Sequence, residues 1–317
     1  MAVDVRTTDH LDVRERLDDP ELASRAVDLG FGDRDLVDLV KAVHTVRGRK
    51  DDLGVVTGLA HRLVDRIGRL PSPPGDEVFA DVPESPMARD GVLAMLALLA
   101  TVPDVVDFHA RRGVAAEISL ATLGDLGQQV RLHRRMSGAF GLHTYAWLTL
   151  AWSGALYRLG RLQFNLELDV GLRGEQTWVL STHIPATGPL TPGSVDASFA
   201  MAAAFFAAHF PDYVRSRPAC PVSAATTDFV CRSWLLDPAL STELPGSNLA
   251  AFQRRWHIEG AAEPGEIDSL YFIFNRRPPV DAAALPRDTR LRRLTADKLA
   301  AGHGWGIVRG RVAPAPQ

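Results

Sequence analysis

Apolar residues recur at helical spacing through most of the first half of the chain. Residues 33–46 are typical, because Leu36, Leu39, Val40 and Val43 repeat there at the spacing of an amphipathic helix. The same periodicity predicts helices over residues 20–29, 53–70, 87–101, 119–137 and 142–153. Residues 71–86 are rich in proline and instead predict a long surface loop.

The pattern changes in the second half, where short runs of leucine, valine and aromatic residues alternate with helical segments. Strands are predicted over residues 157–168, 177–184, 228–236 and 269–275, and a last one within residues 302–312. Helices are predicted over residues 194–210, 248–255 and 288–301. We therefore expect a helical domain over residues 1–150, a mixed domain of strands and helices over residues 151–312, and a frayed tail over residues 313–317.

Composition and charge narrow the classes of function. The 317 residues carry a net charge of -3 and a pI near 6.4, so the chain lacks the basic surface that binds a phosphate backbone, and nucleic acid is not an expected partner. The longest apolar run, residues 91–102, is too short to cross a bilayer and predicts a buried helix, so no membrane is expected.

The cysteines and the N-terminus bear on location and on metals. Only Cys220 and Cys231 are present, which is neither a disulfide framework nor a thiolate metal site, so we expect a reducing compartment and no metal. The first residues are charged and show no apolar segment followed by a cleavage site. The expected location is the cytoplasm.

A proline- and glycine-rich loop, PATGPLTPG over residues 185–193, connects a predicted strand to a predicted helix. This order predicts Ser194 as the N-cap of the helix, with unpaired backbone N–H groups and the positive helix end directed into one crevice. Such a crevice suits an anionic ligand. The alternative is an ordinary strand-to-helix connection made of turn residues.

Four blocks in this region, LGRLQF, HIPATGPL, CRSWLLDP and SNLAAFQRRW, carry a resemblance in their order along the chain. The sequence resembles acyltransferases in which a helical N-acyltransferase-type N-terminal domain precedes a GNAT-like C-terminal domain. The resemblance implies an α+β fold, with a mixed β-sheet flanked by helices that holds an acyl-CoA between two splayed strands. It also implies acyl transfer from acyl-CoA, as co-substrate, to an amine of a small molecule or peptide.

The resemblance further implies where the cofactor binds. In GNAT enzymes backbone N–H groups of the loop after the fourth strand hold the pyrophosphate, and the matching positions here are Ile184, Gly188, Leu190, Thr191 and Ser194. The sequence departs from the usual pattern, because its spaced glycines are absent and Pro189 and Pro192 remove N–H donors.

The segment SNLAAFQRRW is similar to the GNAT segment in which an asparagine faces the pantetheine arm. Asn248 matches that asparagine, although a plain helix cap by Asn248 or Ser247 is an alternative. The tyrosine that protonates the leaving thiolate in GNAT enzymes has no counterpart, since Phe252 and Trp256 occupy that part of the segment.

His183 and Asp237 are the candidate catalytic bases, because each ends a predicted strand near the expected site. The alternatives are a core histidine and a turn aspartate before Pro238. Cys231 is a candidate acyl-carrying nucleophile, with a buried structural thiol as its alternative. Arg161 is predicted to pair with an acceptor carboxylate or with Glu167.

Two other functions stay open at this level. One is a catalytically degenerate GNAT-like module that binds an acyl-thioester or a protein partner without turnover. The other is transfer from an acyl carrier protein, for which Arg131, Arg134 and Arg135 on one predicted helix offer a basic patch, unless they form a solvated helix face.

Overall fold

The structure, a computed structural model, describes residues 11–170, 176–214 and 228–312. The chain divides into two compact units, residues 1–158 and residues 159–317. Cys220 and the predicted tail at residues 313–317 lie outside the described residues.

The described part of the first unit is helical, as the periodicity predicts. Its helices are α1 (Val13–Asp18), α2 (Leu22–Asp28), α3 (Asp33–Arg47), α4 (Lys50–Val64), α5 (Pro86–Arg89), α6 (Val92–Arg111), α7 (Ala116–Leu123), α8 (Asp125–Ser137) and α9 (Tyr145–Trp152). The proline-rich segment holds a short 3-10 turn at Gly75–Val78 and ends one residue earlier than predicted, because Pro86 begins α5 behind the N-cap Ser85.

Helix α6 forms the centre of this unit. Residues 92–102 are all buried, which confirms the predicted buried helix, and α6 packs against α1, α4, α7 and α9. The helix is longer than the apolar run and, by length and composition alone, could cross a membrane, yet 78% of its apolar window is buried inside the protein. That burial is the pattern of a core helix, since a membrane span keeps an apolar surface toward lipid.

The second unit is built around a six-stranded mixed sheet in the order β1-β2-β3-β4-β6-β5. The strands are β1 (Leu156–Leu159), β2 (Leu162–Val170), β3 (Gln176–His183), β4 (Phe229–Ser233), β5 (Trp256–Glu263) and β6 (Ile307–Val312). The helices are α10 (Pro192–His209), α11 (Pro211–Val214), α12 (Ala239–Glu243), α13 (Asn248–Gln253), α14 (Glu266–Ser269) and α15 (Arg290–Ala300). β3 and β4 are parallel, whereas β2–β3, β4–β6 and β5–β6 are antiparallel, so the α+β class is confirmed.

Two predicted elements of the sheet are wrong in detail, and one strand was missed. The single strand over residues 157–168 is a hairpin of β1 and β2, because Gly160 takes a φ of 71° that turns the chain. Residues 269–275 are helical, ending α14 and forming a π-helical turn at Leu270–Phe274. Strand β5 was not predicted, because it is a largely exposed strand with only two large apolar residues, Trp256 and Ile258.

The two faces of the β2–β3 hairpin differ in chemistry. On one face Gln163 lies opposite His183 and Asn165 lies opposite Ser181. The other face is largely apolar and is covered by α10, whose Phe199 ring lies 5.7 Å from the ring of Phe164. The apolar face therefore anchors the sheet to α10, and the polar face carries the side chains suited to chemistry.

Candidate active site

The parallel strands β3 and β4 are paired over a short stretch only. Their register pairs are Leu180 with Phe229 and Ser181 with Val230. Beyond these pairs β3 continues to His183 along β2, and β4 continues to Ser233 along β6. Within the described residues the sheet therefore opens between the ends of β3 and β4, and a strand edge of this kind can pair with an extended ligand.

His183 is the last residue of β3 and sits at this opening, as predicted. The side chain is half-buried, and its Nε2 atom lies 2.5 Å from the Oδ1 atom of Asn165. Burial lowers the pKa of the imidazole to about 4, because desolvation disfavours the charged form. At neutral pH the ring is therefore neutral and carries one nitrogen lone pair, which a proton acceptor needs.

Asp237 was predicted to end a strand, and that prediction is wrong. The residue follows a 3-10 turn at Trp234–Leu236. Its Oδ1 atom accepts the N–H of Ala239 at 2.8 Å, and its Oδ2 atom accepts the N–H of Gly306 at 2.7 Å. Both oxygens thus hold the backbone in place, which is the role of a turn aspartate.

Cys231 lies inside β4, and its side chain is buried. Burial raises the pKa of the thiol, because the thiolate would be desolvated there. The nucleophile is the thiolate, so this environment disfavours an acyl-enzyme on Cys231.

Arg161 occupies the turn between β1 and β2 and shapes the loop that follows β3. Its guanidinium donates to the carbonyl oxygens of Pro185 at 2.9 Å, Gly188 at 3.0 Å and Pro189 at 3.2 Å. The predicted pairing with Glu167 or with an acceptor carboxylate is therefore replaced by a clamp on the backbone. The hairpin turn explains the difference, because it removes Arg161 from the strand face that Glu167 shares.

The Arg161 clamp also sets where the N–H groups of this loop point. In a trans peptide the C=O of one residue and the N–H of the next point in opposite directions. The carbonyls of Pro185 and Pro189 face Arg161, so the N–H groups of Ala186 and Leu190 face away from it. The N–H groups of Ala186 and Leu190 are therefore candidate donors to an anion on the side of the loop opposite Arg161.

Helix α10 begins two residues earlier than predicted, and its N-cap is Thr191 rather than Ser194. The Thr191 side chain accepts the N–H of Ser194 at 3.4 Å, and Pro192 is the first helical residue. Proline is favoured there because its fixed φ suits the helix and an N–H is not required. Ser194 turns its own hydroxyl back to the Thr191 carbonyl at 2.9 Å, so both side chains stabilise the helix start.

Three of the remaining predicted cofactor residues lie at this loop, whereas Asn248 lies on α13. Ile184 follows His183 and is half-buried, Leu190 is buried, and Gly188 is exposed with a φ of 67° that favours glycine.

Asn248 is the exposed first residue of α13, and the N-cap of that helix is Ser247, whose hydroxyl accepts the N–H of Ala250 at 3.1 Å. Asn248 is therefore not the helix cap, and its side chain faces solvent.

Two buried polar atoms beside the aromatic cluster between the sheet and α10 were not predicted. The Thr182 hydroxyl and the Trp256 indole N–H have no hydrogen-bond partner among the described residues. Thr182 lies opposite Phe164, and the Trp256 ring lies 5.9 Å from Phe199, so both border the aromatic cluster between sheet and α10. Buried polar groups normally have partners, so this region has hydrogen-bonding capacity to offer a ligand.

The described residues hold no cluster of metal ligands, and one of the three arginines suggested for carrier-protein docking is paired with carboxylates. No group of three or more His, Cys, Asp or Glu side chains there could hold a metal ion. In the first unit Arg134 donates to Asp35 at 2.5 Å and to Asp38 at 2.8 Å. Its charge is thus offset by two carboxylates, which weakens the patch suggested for a carrier protein.

Known proteins resemble both units. Residues 20–154 match the model of the N-acyltransferase N-terminal domain, and residues 156–312 match that of the GNAT-like C-terminal domain. An acyltransferase in complex with decanoyl-CoA and teicoplanin is 31% identical, with a TM-score of 0.69, and the match covers 98% of this chain and 90% of that chain. An acyltransferase in complex with CoA and 10C-teicoplanin is 31% identical, with a TM-score of 0.68 over 97% and 88% of the chains. A third, in complex with decanoyl-CoA, is 29% identical, with a TM-score of 0.69 over 95% and 98%. No curated protein matches the chain.

Proposed function

Because the chain belongs to the acyltransferases that join an N-acyltransferase N-terminal domain to a GNAT-like C-terminal domain, we propose that it transfers an acyl group from acyl-CoA to an amine. The observation that best supports this reaction is the opening between β3 and β4, with His183 at its edge. An extended thioester arm along the edge of β3 brings its carbonyl carbon close to the end of that strand, where His183 lies.

In the proposed donor complex the loop after β3 holds the pyrophosphate. The N–H groups of Ala186 and Leu190, together with that of Gly193 in the first turn of α10, supply donors at the positive end of the helix. Pro189 and Pro192 contribute no N–H, so the loop offers fewer donors than a glycine-rich one. The arm of the donor meets the unpartnered Thr182 hydroxyl and Trp256 N–H.

The reaction is direct transfer in two bond changes. The amine nitrogen attacks the thioester carbon, a C–N bond forms, and His183 takes the proton that the nitrogen loses. The tetrahedral intermediate then collapses, the C–S bond breaks, and CoA leaves as its thiolate. The thiolate takes its proton from the imidazolium or from water, since Phe252 and Trp256 are found where other GNAT enzymes carry a tyrosine.

The similar structures suggest the first substrates to try. Related acyltransferases bind decanoyl-CoA and teicoplanin together, and CoA together with 10C-teicoplanin. We propose a medium-chain acyl-CoA as donor and an amine on a glycopeptide of the teicoplanin kind as acceptor. We also propose that the helical first unit sets acceptor preference, and that the protein acts in the cytoplasm, which fractionation of its host cells tests.

The test combines binding with turnover. The purified protein is titrated calorimetrically with decanoyl-CoA, acetyl-CoA and free CoA, and thiol release is followed with teicoplanin and with simple amines while mass spectrometry detects the acylated product. Micromolar binding with amine-dependent thiol release supports the proposal. Binding without thiol release would replace it with a degenerate binding module, and absence of binding to any thioester would favour a carrier-protein donor.

The role of His183 is tested in the same assay. We expect His183→Ala to lower kcat by about 100-fold or more, in the range of a lost general base, with little change in the Kd of CoA. His257→Ala is the matched control, because His257 is an exposed histidine on β5 of the same unit. Full turnover by His183→Ala at every pH would refute the role.

A further inference from the structure

We propose that Asn165 is a positioning residue, which holds His183 as the Nε2–H tautomer and so leaves the lone pair that receives the amine proton on Nδ1. The inference rests on the proposed function. It adds a residue on β2 to the reaction and assigns the atom at which the proton arrives.

Asn165 lies on the polar face of β2, is 5% exposed, and pairs in register with Ser181. His183 is two residues further along β3 on the same face, at the diagonal distance that cross-strand side chains can span. The contact of 2.5 Å between Asn165 Oδ1 and His183 Nε2 is therefore a consequence of strand register.

The hydrogen bonds of Asn165 fix the orientation of its side-chain amide. The Nδ2 atom of Asn165 donates to the carbonyl oxygen of Leu166 at 3.1 Å. A carbonyl only accepts, so the nitrogen of the amide must face Leu166 and the oxygen must face His183. The flipped amide would set its oxygen against the Leu166 carbonyl and lose that hydrogen bond.

The amide orientation in turn fixes the tautomer of His183. The Oδ1 atom of Asn165 only accepts, so the Nε2 atom of His183 must carry the hydrogen. The neutral ring has a single N–H, and its lone pair is consequently on Nδ1. Without this contact the two tautomers would exchange and the ring would rotate. Fewer protein molecules would then hold the Nδ1 lone pair in the orientation that accepts the amine proton.

Asparagine has a further effect that an aspartate would not have. A neutral oxygen orients the imidazole without adding a negative charge, so the pKa of His183 keeps the low value set by burial. A carboxylate at the same place would stabilise the imidazolium and raise that pKa. The acid limb of the pH–rate profile would then move to higher pH.

Two substitutions separate positioning from mere packing. Asn165→Leu keeps the volume and removes the acceptor, and we expect kcat to fall about tenfold or more at every pH, with the KM of decanoyl-CoA nearly unchanged. Asn165→Asp keeps the acceptor, and we expect near-normal kcat at high pH with an acid limb displaced upward. Ser181→Ala is the control, because Ser181 is the buried partner of Asn165 on the same face, and we expect it to retain kcat.

Nitrogen-15 NMR of the full chain labelled at histidine gives a readout independent of turnover, with the His183 signals assigned by His183→Gln. Protonated Nε2 in the wild type, and tautomer mixing in Asn165→Leu, are expected. Protonated Nδ1 in the wild type would overturn the inference even if Asn165→Leu failed to fold, and so would unchanged kcat in a folded Asn165→Leu. An inactive wild type with protonated Nε2 would instead count against the proposed function.

Discussion

Replacement of Arg161 by alanine tests whether the loop after β3 must be held in shape to bind the donor. The substitution deletes the guanidinium that donates to the carbonyls of Pro185, Gly188 and Pro189. The loop then loses the contacts that direct its remaining N–H groups toward an anion. We expect the main effect on CoA binding and a small effect on folding.

The magnitude follows from the number of hydrogen bonds. One from a charged donor contributes about 1.5–3 kcal/mol net, and partial solvent exposure here reduces each to roughly 1 kcal/mol. When Arg161 is removed, water hydrogen-bonds to the carbonyls of Gly188 and Pro189, so the free protein loses little stability. The loop must then be ordered when CoA binds, which costs about 1.5–3 kcal/mol of binding free energy. Since about 1.4 kcal/mol is a factor of ten, the Kd of CoA should rise by roughly 10- to 100-fold.

Calorimetric titration with CoA measures this change directly. Arg292→Ala is the matched control, because Arg292 is a partly exposed arginine on α15 whose guanidinium pairs with the exposed Asp288 at 2.9 Å, and its loss changes the net charge equally. Arg161→Lys distinguishes the clamp from simple attraction of phosphate, because lysine keeps the charge but lacks the planar fork. We expect Arg161→Lys to bind CoA nearly as poorly as Arg161→Ala. An unchanged Kd in Arg161→Ala would refute the reasoning.

Four further predictions follow from single side chains. Asp237→Ala should lower the free energy of unfolding by about 2–4 kcal/mol in urea titration while CoA binding persists, because two backbone N–H groups lose their acceptor. Cys231→Ala should release CoA thiol at the wild-type rate, and a variant without thiol release would restore the acyl-enzyme alternative. Thr182→Val should stabilise the free protein slightly, by removing an unpartnered hydroxyl, yet weaken decanoyl-CoA binding in calorimetry. Partial burial raises the pKa of Asp169, but hydrogen bonds from Arg309 and Arg311 outweigh this effect and leave the pKa below its ordinary value. The ionised Asp169 therefore stabilises the fold at neutral pH, and this contribution is lost as the pH falls through the lowered pKa. Asp169→Asn should therefore lower Tm at pH ~7, with the difference from wild type closing below pH ~4.

The helical unit could be predicted from the sequence because its signal is local and repeated. Residues 33–46 show helical spacing over several turns, and α3 spans Asp33–Arg47. Short apolar segments lack that redundancy. The buried positions Leu270, Ile273 and Phe274 fit a helix turn, yet the same apolar run also fits a short strand, and the strand prediction was wrong.

The helix starts show how far capping rules reach. Thr191 and Ser194 both suit an N-cap, and the presence of Pro192 decides between them, because proline is favoured directly after the cap. The same competition at α13 is decided for Ser247 over Asn248. Local sequence therefore predicts that a helix begins there, while the fit of one side chain to the backbone selects the residue.

The candidate site is divided in the same way between local and long-range information. His183 could be chosen from sequence, because the end of a strand before a proline-rich loop is a local feature. Asn165 could not, because its contact with His183 depends on the register of β2 against β3, and a shift by one residue would turn Asn165 to the opposite face. Arg161 was misplaced for a related reason, since the turn at Gly160 moves it off the strand. What the sequence leaves undetermined is therefore the pairing of strands, and that pairing decides which polar side chain orients the candidate base.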